Sequence, residues 1–154
     1  MQVSEVLRVK GNTLYTVSPD TMLSDCVMTM AEHDIGSLIV MDKGRLAGLI
    51  TFREVIRVLA KRQHEHRVGP TPPVAEIIVR DVMNEEPIIC SPSMDVNELR
   101  RSMLSTHQRY LPVMEGSTVM GVISFHDVAK AVLEEQGFEN RMLKAYIRDW
   151  PAEG

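Results

Sequence analysis

The feature that most constrains this chain is that it is written twice. Ser18-Pro19 recurs as Ser91-Pro92, an offset of 73 (91 − 18). At the same offset Met30 matches Met103, Leu38 matches Leu111, and Val40-Met41 matches Val113-Met114. Gly48, Ile50, Phe52 and Val55 then match Gly121, Ile123, Phe125 and Val128. The register holds without a gap from Ser18 to about Leu59, so the chain contains two copies of one supersecondary unit.

Each copy carries the same order of local signals. A short β-rich segment, Leu14–Val17 or Ile88–Cys90, is stopped by Ser-Pro. A helix follows, with one apolar stripe predicted from Leu23, Cys26, Val27 and Met30 in the first copy and from Val96, Leu99, Met103 and Leu104 in the second. The methionines among them read as core filling. Two strands then flank a turn: Leu38–Met41 and Leu46–Ile50 around Asp42-Lys-Gly44, and Leu111–Met114 and Val119–Ile123 around Glu115-Gly116. A second helix starts near Phe52 or Phe125 and sets Val55 with Leu59, or Val128 with Val132, on one face.

The prediction is a mixed α/β fold of the α+β kind, β-α-β-β-α twice. The first repeat spans 1–62, a linker 63–75, the second repeat 76–137, and a C-terminal helix and tail 138–154. The linker contains Gly69, Pro70, Pro72 and Pro73, which resist regular structure. Val3–Leu7 resembles Val79–Met83, so each repeat is headed by a short amphipathic turn of helix. Met142, Leu143, Tyr146, Ile147 and Trp150 recur at helical spacing and give the final helix an apolar face, free to cap the monomer or to meet a second subunit.

Composition narrows the function. The chain has 154 residues, enough for one compact unit with a substantial core. Seventeen Lys and Arg against 21 Asp and Glu give a formal charge of −4, which argues against binding a nucleic-acid backbone. No apolar run approaches the roughly 18 residues of a membrane span, and no signal-like start is present, so no membrane association and a cytoplasmic location are expected. Cys26 and Cys90 have neither C-x-x-C spacing nor ligand neighbours, and both read as small buried apolar residues. His64-x-His66 has no third ligand nearby in sequence and reads as solvated linker, so no metal site is expected. His33 and His107 close the two first helices, where a cation favours the carboxyl end.

Chemistry concentrates at the start of each second helix, in Gly48-Leu-Ile-Thr51-Phe-Arg-Glu54 and Gly121-Val-Ile-Ser124-Phe-His-Asp127. A hydroxyl followed three residues later by a carboxylate is first of all a capping box. A carboxylate at a helix mouth also accepts both hydroxyls of a ribose, while first-turn amides face an anion. The two roles are compatible. No nucleophile–base pair, metal cluster or long phosphate loop is visible, so no catalytic residue is assigned and an enzyme is disfavoured.

The repeat as a whole resembles the CBS domain. The resemblance covers nearly the entire chain and rests on the ordered set of signals occurring twice: the Ser-Pro after the first strand, the Met-rich first helix, Arg109-Tyr-Leu-Pro-Val113 and the closing Gly-hydrophobic-hydrophobic-Ser/Thr-x-x-Asp/Glu. It implies a stand-alone pair of repeats packed through small sheets about a pseudo-twofold axis, with two clefts for adenosine-containing ligands and further association into a homodimer. It places Thr51 and Glu54 in one cleft and Ser124 and Asp127 in the other as ribose contacts; Glu54 departs from the usual Asp. Adenine contacts fall to Leu49 or Val122 and to Ile35 or Gln108, with Asn12, Thr13 and Glu85, beside Glu86, on the other side. Arg109, next to Tyr110, stands where basic residues meet phosphate; the first copy has Gly36 and Ser37 there. Arg53 and His126 are secondary candidates. The implied function is a regulatory sensor of AMP, ADP, ATP or NAD(H), without a catalytic cofactor, acting on an unknown protein target in trans. The alternative is a dimerising scaffold that has lost binding.

Overall fold

A computed structural model describes residues 1–11, 13–68 and 76–148, with nothing described for the side chains of 66–68. The proline-rich part of the predicted linker, Asn12, the His66 side chain and Trp150 lie outside the described residues.

Helix α1 (Val3–Lys10) opens the chain and is followed by β1 (Thr16–Val17), α2 (Leu23–His33), β2 (Ser37–Asp42), β3 (Arg45–Thr51) and α3 (Phe52–Val68). A 3-10 turn at Val79–Asp81 precedes α4 (Val96–Thr106), β4 (Tyr110–Glu115), β5 (Thr118–Ser124) and α5 (Phe125–Arg148). In the first sheet β1 pairs parallel with β2, and β2 antiparallel with β3. In the second, β4 pairs with β5. The two hairpins have the same register, Ser37 opposite Thr51 and Tyr110 opposite Ser124, and the same irregularity at Val40/Met41 and Val113/Met114. The repeat read from sequence is thus a repeat of hydrogen bonding as well.

One strand is lost in the second copy. Ile88–Cys90 contributes only a single parallel bridge, Cys90 to Val113. In the first copy the Ile39 amide donates to the Tyr15 carbonyl at 3.2 Å. The position equivalent to Ile39 is Pro112, which has no N–H to donate, so the ladder stops one bond short.

The headers cross over. Val3 and Val6 of α1 are buried with Val96, Leu99, Leu111, Ile123 and Val128 of the second repeat. Val79 is buried with Leu23, Leu38 and Ile50 of the first, with Ile77, Val82 and Met83 packed against that cluster. The backbone bonds that hold these exchanges mirror one another. The Val3 amide donates to the Met94 carbonyl and the Val79 amide to that of Thr21, both at 2.9 Å; Ser4 to Pro92 and Arg80 to Pro19 repeat the match, again at 2.9 Å. The expected boundaries at 62 and 76 therefore do not enclose separate cores, because each repeat completes its core with the other's header. With β3 in contact with β5, this reciprocity is the pseudo-twofold relation.

Several sequence expectations shift. Buried positions on the first helices are Leu23, Cys26 and Met30, and Val96, Leu99 and Met103. Val27 (40% exposed) and Leu104 (56%) fall beside the stripe, since i, i+3, i+7 spacing already fills the face toward the sheet. Leu59 is likewise exposed, whereas Val128 and Val132 are buried. His107 corresponds to Asp34, not His33: both are C-caps in left-handed conformation, with φ of 58° and 51°. Helix α3 runs to Val68, into the expected linker, and α5 runs unbroken to Arg148, so the C-terminal segment extends the second repeat's helix instead of forming its own. A single interior glycine, Gly137, costs about 1 kcal/mol against alanine, too little to stop a helix flanked by good formers. Cys26 and Cys90 are buried, and burial pushes their thiols up to about 11 and about 12, with the Asp25 charge adding to the first.

Candidate functional site

The crossover builds two clefts, each joining the closing motif of one copy to the entry residues of the other. In the first, a cavity of about 470 Å³, Thr13, Ile35, Gly36 and Ser37 of the first copy face Val122, Ser124 and His126 of the second. In the other, of about 790 Å³, Arg53 and Glu54 of the first copy face Glu85 and Gln108 of the second. A further cavity of about 490 Å³ shares Arg53 and Gln108 with it and is also lined by Thr51, Arg109 and Tyr110. Predicted residues are thus brought together across the repeats.

Asp127 stands directly behind Ser124 and Lys10 of the first cavity without lining it, and that cavity is called the Asp127 cleft; there the mouth of α5 forms a reciprocal cap. Asp127 Oδ2 accepts from the Ser124 amide at 2.9 Å, and Ser124 Oγ accepts from the Asp127 amide at 3.1 Å. The same Oδ2 accepts from Lys10 Nζ at 2.7 Å, and Lys10 also donates to the Val122 carbonyl at 2.8 Å. Partial burial pushes the Asp127 carboxyl up, but the Lys10 ammonium and the Ser124 donors outweigh it and hold the group below the usual aspartate value. It is an ionised carboxylate at a helix mouth, held by Ser124 and Lys10, which line the cavity together with Ile35 and Val122.

The Glu54 cleft differs in its chemistry. Glu54 is 7% exposed, and Oε1 accepts from the Thr51 amide at 3.1 Å and from Thr51 Oγ1 at 3.0 Å. Thr51 Oγ1 in turn accepts from the Arg53 amide at 3.1 Å. The longer side chain has folded back onto its own capping box. Leu49, expected beside adenine, is sealed at 1% exposure, its amide and carbonyl both paired with Asn84 at 3.0 and 2.9 Å. This corrects the sequence expectation: the Met83-Asn84 segment lies across Gly48 so closely that a Cβ there would stand 2.7 Å from the Asn84 carbonyl.

Arg109 is exposed and lines the cavity beside Thr51. Arg53 donates to the His107 carbonyl at 3.2 Å. Tyr110 stands between the clefts and lines a cavity on each side; its hydroxyl occupies the space a side chain at position 36 would need, which explains glycine there. Burial raises the Tyr110 pKa, Arg109 opposes this, and the Asp127 charge adds to it.

Sequence reasoning missed Arg57 and Lys61, which follow Arg53 at helical spacing and line the Glu54 cleft; that i, i+4, i+8 row was there to be read. It also missed Lys10, Tyr15 and His33, the latter two in ring contact at 4.4 Å in the Asp127 cleft. Lys10 is 117 residues from its carboxylate, and only the crossover brings it there. Among the described residues no group of three or more His, Cys, Asp or Glu could hold a metal ion, and no helix is long and apolar enough to cross a membrane.

Two α-β-β-α units, the first with an added parallel strand, with crossed headers and paired clefts define a class that the comparisons identify. The CBS domain model matches residues 3–61 and 79–134. The chain belongs to the CBS domain family. It is 30% identical to the mitochondrial CBS domain-containing protein CBSX3 of Arabidopsis thaliana, over 95% of this chain and 71% of that one. A solved structure of a putative signal-transduction protein with CBS domains from Burkholderia ambifaria is 29% identical, with a TM-score of 0.76 over 88% of this chain and 96% of that one. The fold is shared with CBSX2 in complex with AMP, at 22% identity and a TM-score of 0.69 over 88% of this chain and 98% of that one.

Proposed function

We propose that this chain is a regulatory, non-catalytic CBS pair that binds an adenosine-containing ligand in the Asp127 cleft. The carrying observation is an ionised carboxylate at the mouth of α5, bonded to Lys10 and Ser124 of a cavity whose lining also includes the apolar Ile35 and Val122. A ribose needs the carboxylate and a purine the apolar lining. The cavity is within the size range of small-molecule sites, and the AMP complex of CBSX2 supports the ligand class.

AMP, ADP, ATP and NAD(H) share that adenosine end and differ in the charge they carry past it. Arg109, with Arg53, Arg57 and Lys61, supports the phosphates of a ligand in the neighbouring Glu54 cleft. Exposed Phe52, Ile56 and Leu59 on α3, with Leu133, Phe138 and Met142 on α5, support a homodimer through which occupancy is read by a protein target. The same apolar faces favour the second reading, a dimerising scaffold that binds nothing.

Titration calorimetry with adenosine, AMP, ATP and NADH, alongside mass spectrometry of gently purified protein, decides between them. Saturable binding of at least one ligand is expected. A folded protein that sediments as a dimer and binds none would establish the scaffold.

A further inference from the structure

We propose that Lys10 sets the ligand preference of the Asp127 cleft by occupying the seat a ribose needs, so that the cleft favours an adenosine ligand carrying an anion over one that is neutral. This rests on the reading of that cleft as an adenosine site.

The ammonium of Lys10 lies 2.7 Å from Asp127 Oδ2 and 2.8 Å from the Val122 carbonyl, spanning the carboxylate and the backbone of a residue that lines the cleft. It puts a tethered cation in the lining of the cleft. Hydroxyls arriving at Asp127 must share or displace this ammonium. A neutral nucleoside offers the displaced Lys10 no anion, and the Lys10 side chain is only 32% exposed, so water compensates incompletely. A phosphate on the same ligand gives it a new partner.

Lys10 is equipped to make that exchange. It is the last residue of α1, on a flexible four-carbon stem, and the chain then leaves through Gly11 at φ +98°. Among the described residues lining this cleft it is the one lysine or arginine; the other charged lining residue is Asp34, with His33 and His126 beside them. The Glu54 cleft is lined instead by Arg53, Arg57 and Lys61 of α3, with no lysine or arginine from the opposite header among its described lining residues. The first header stands 15 residues before its Ser-Pro (18 − 3) and the second 12 (91 − 79). Helix α1 runs eight residues to Lys10, whereas the second header is the three-residue turn Val79–Asp81, after which Asn84 pairs with Leu49.

The test is titration of isotope-labelled wild-type, Lys10→Met and Lys10→Arg proteins with adenosine and with AMP, following the Gly36 and Ser124 amides by NMR so that this cleft is observed apart from the other. Wild type is expected to prefer AMP. In Lys10→Met adenosine should bind more tightly and AMP no more tightly, so that the preference shrinks by about tenfold, equivalent to about 1.4 kcal/mol. Lys10→Arg should restore it, an outcome that a purely structural role would not produce. Arg8→Met, on the same helix, should leave the ratio unchanged. Equal AMP-to-adenosine ratios in wild type and Lys10→Met, with both ligands bound, would overturn the inference and leave the adenosine site standing. No shift at these amides with either ligand, in wild type and variant alike, would overturn both.

Discussion

The two clefts begin from one motif and diverge at a single methylene and three header residues. At Asp127 the carboxylate is short, stays at the helix mouth, and meets a lysine delivered by the opposite repeat. At Glu54 the carboxylate reaches back to its own Thr51, and the shorter opposite header lies flat on Gly48 and Leu49. Both carboxylates cap their own helix, but one shares a partly solvated charge with a lysine of the other repeat while the other is buried against its own Thr51. A repeat preserved in fold is therefore not a repeat preserved in chemistry, because each cleft is completed by the part of the other copy that is least alike.

The largest expected effect breaks this contrast directly. Asp127→Ala should weaken an adenosine ligand in its cleft by about 1.5–3 kcal/mol, the worth of a hydrogen bond to a charged acceptor, or roughly ten- to hundredfold. Calorimetry on the folded variant measures it, and unchanged affinity would leave Asp127 a helix cap alone. The close packing of the Glu54 side gives the next effect. Gly48→Ala places a Cβ against the Asn84 backbone carbonyl and Met83, and should cost about 1–3 kcal/mol of stability. Gly121→Ala meets only the Leu7 methyls, at 3.3 and 3.8 Å, the ends of a side chain that can turn, and should cost less. Equal denaturant midpoints for the two would show that Asn84 is not locked onto β3. Smaller again, Glu54→Ala should lower apo stability by about 0.5–2 kcal/mol, the range for a lost cap, with affinity in the Asp127 cleft untouched.

The 73-residue offset gave the repeat, both hairpins and the closing motifs, because each rests on local pattern: alternation, turn glycines, a hydroxyl three before a carboxylate. It did not give the partners across the axis. The departure of Glu54 was visible, and the fold-back onto Thr51 is its physical form. Leu49 and Val122 are equivalent in sequence, yet one is sealed and the other lines a cavity, since Asn84 covers only the first. The lost second-copy strand was readable in retrospect from Pro112, whose missing amide is a local fact. Lys10 was not, for nothing near it in the chain points to Asp127.

The subtlest difference between the clefts should appear in acid. Asp127 is held below the ordinary aspartate pKa of about 3.9, so the folded state resists protonation more than the unfolded chain does. Its contribution to stability is then fully present above that ordinary value and is lost as pH falls through the lower folded value. Lys10→Met removes the strongest of the influences that lower this pKa and leaves burial, which raises it. Wild type should therefore exceed Lys10→Met in stability at pH 7 by a few tenths to about 1 kcal/mol, as suits a partly exposed ion pair. The gap should close as the pH is taken below the ordinary aspartate range. Urea midpoints for both proteins across that range, at fixed ionic strength, measure the closing. A gap that keeps its size in acid would mean that Lys10 stabilises the cleft through its contact with the Val122 carbonyl and not through an ionised Asp127.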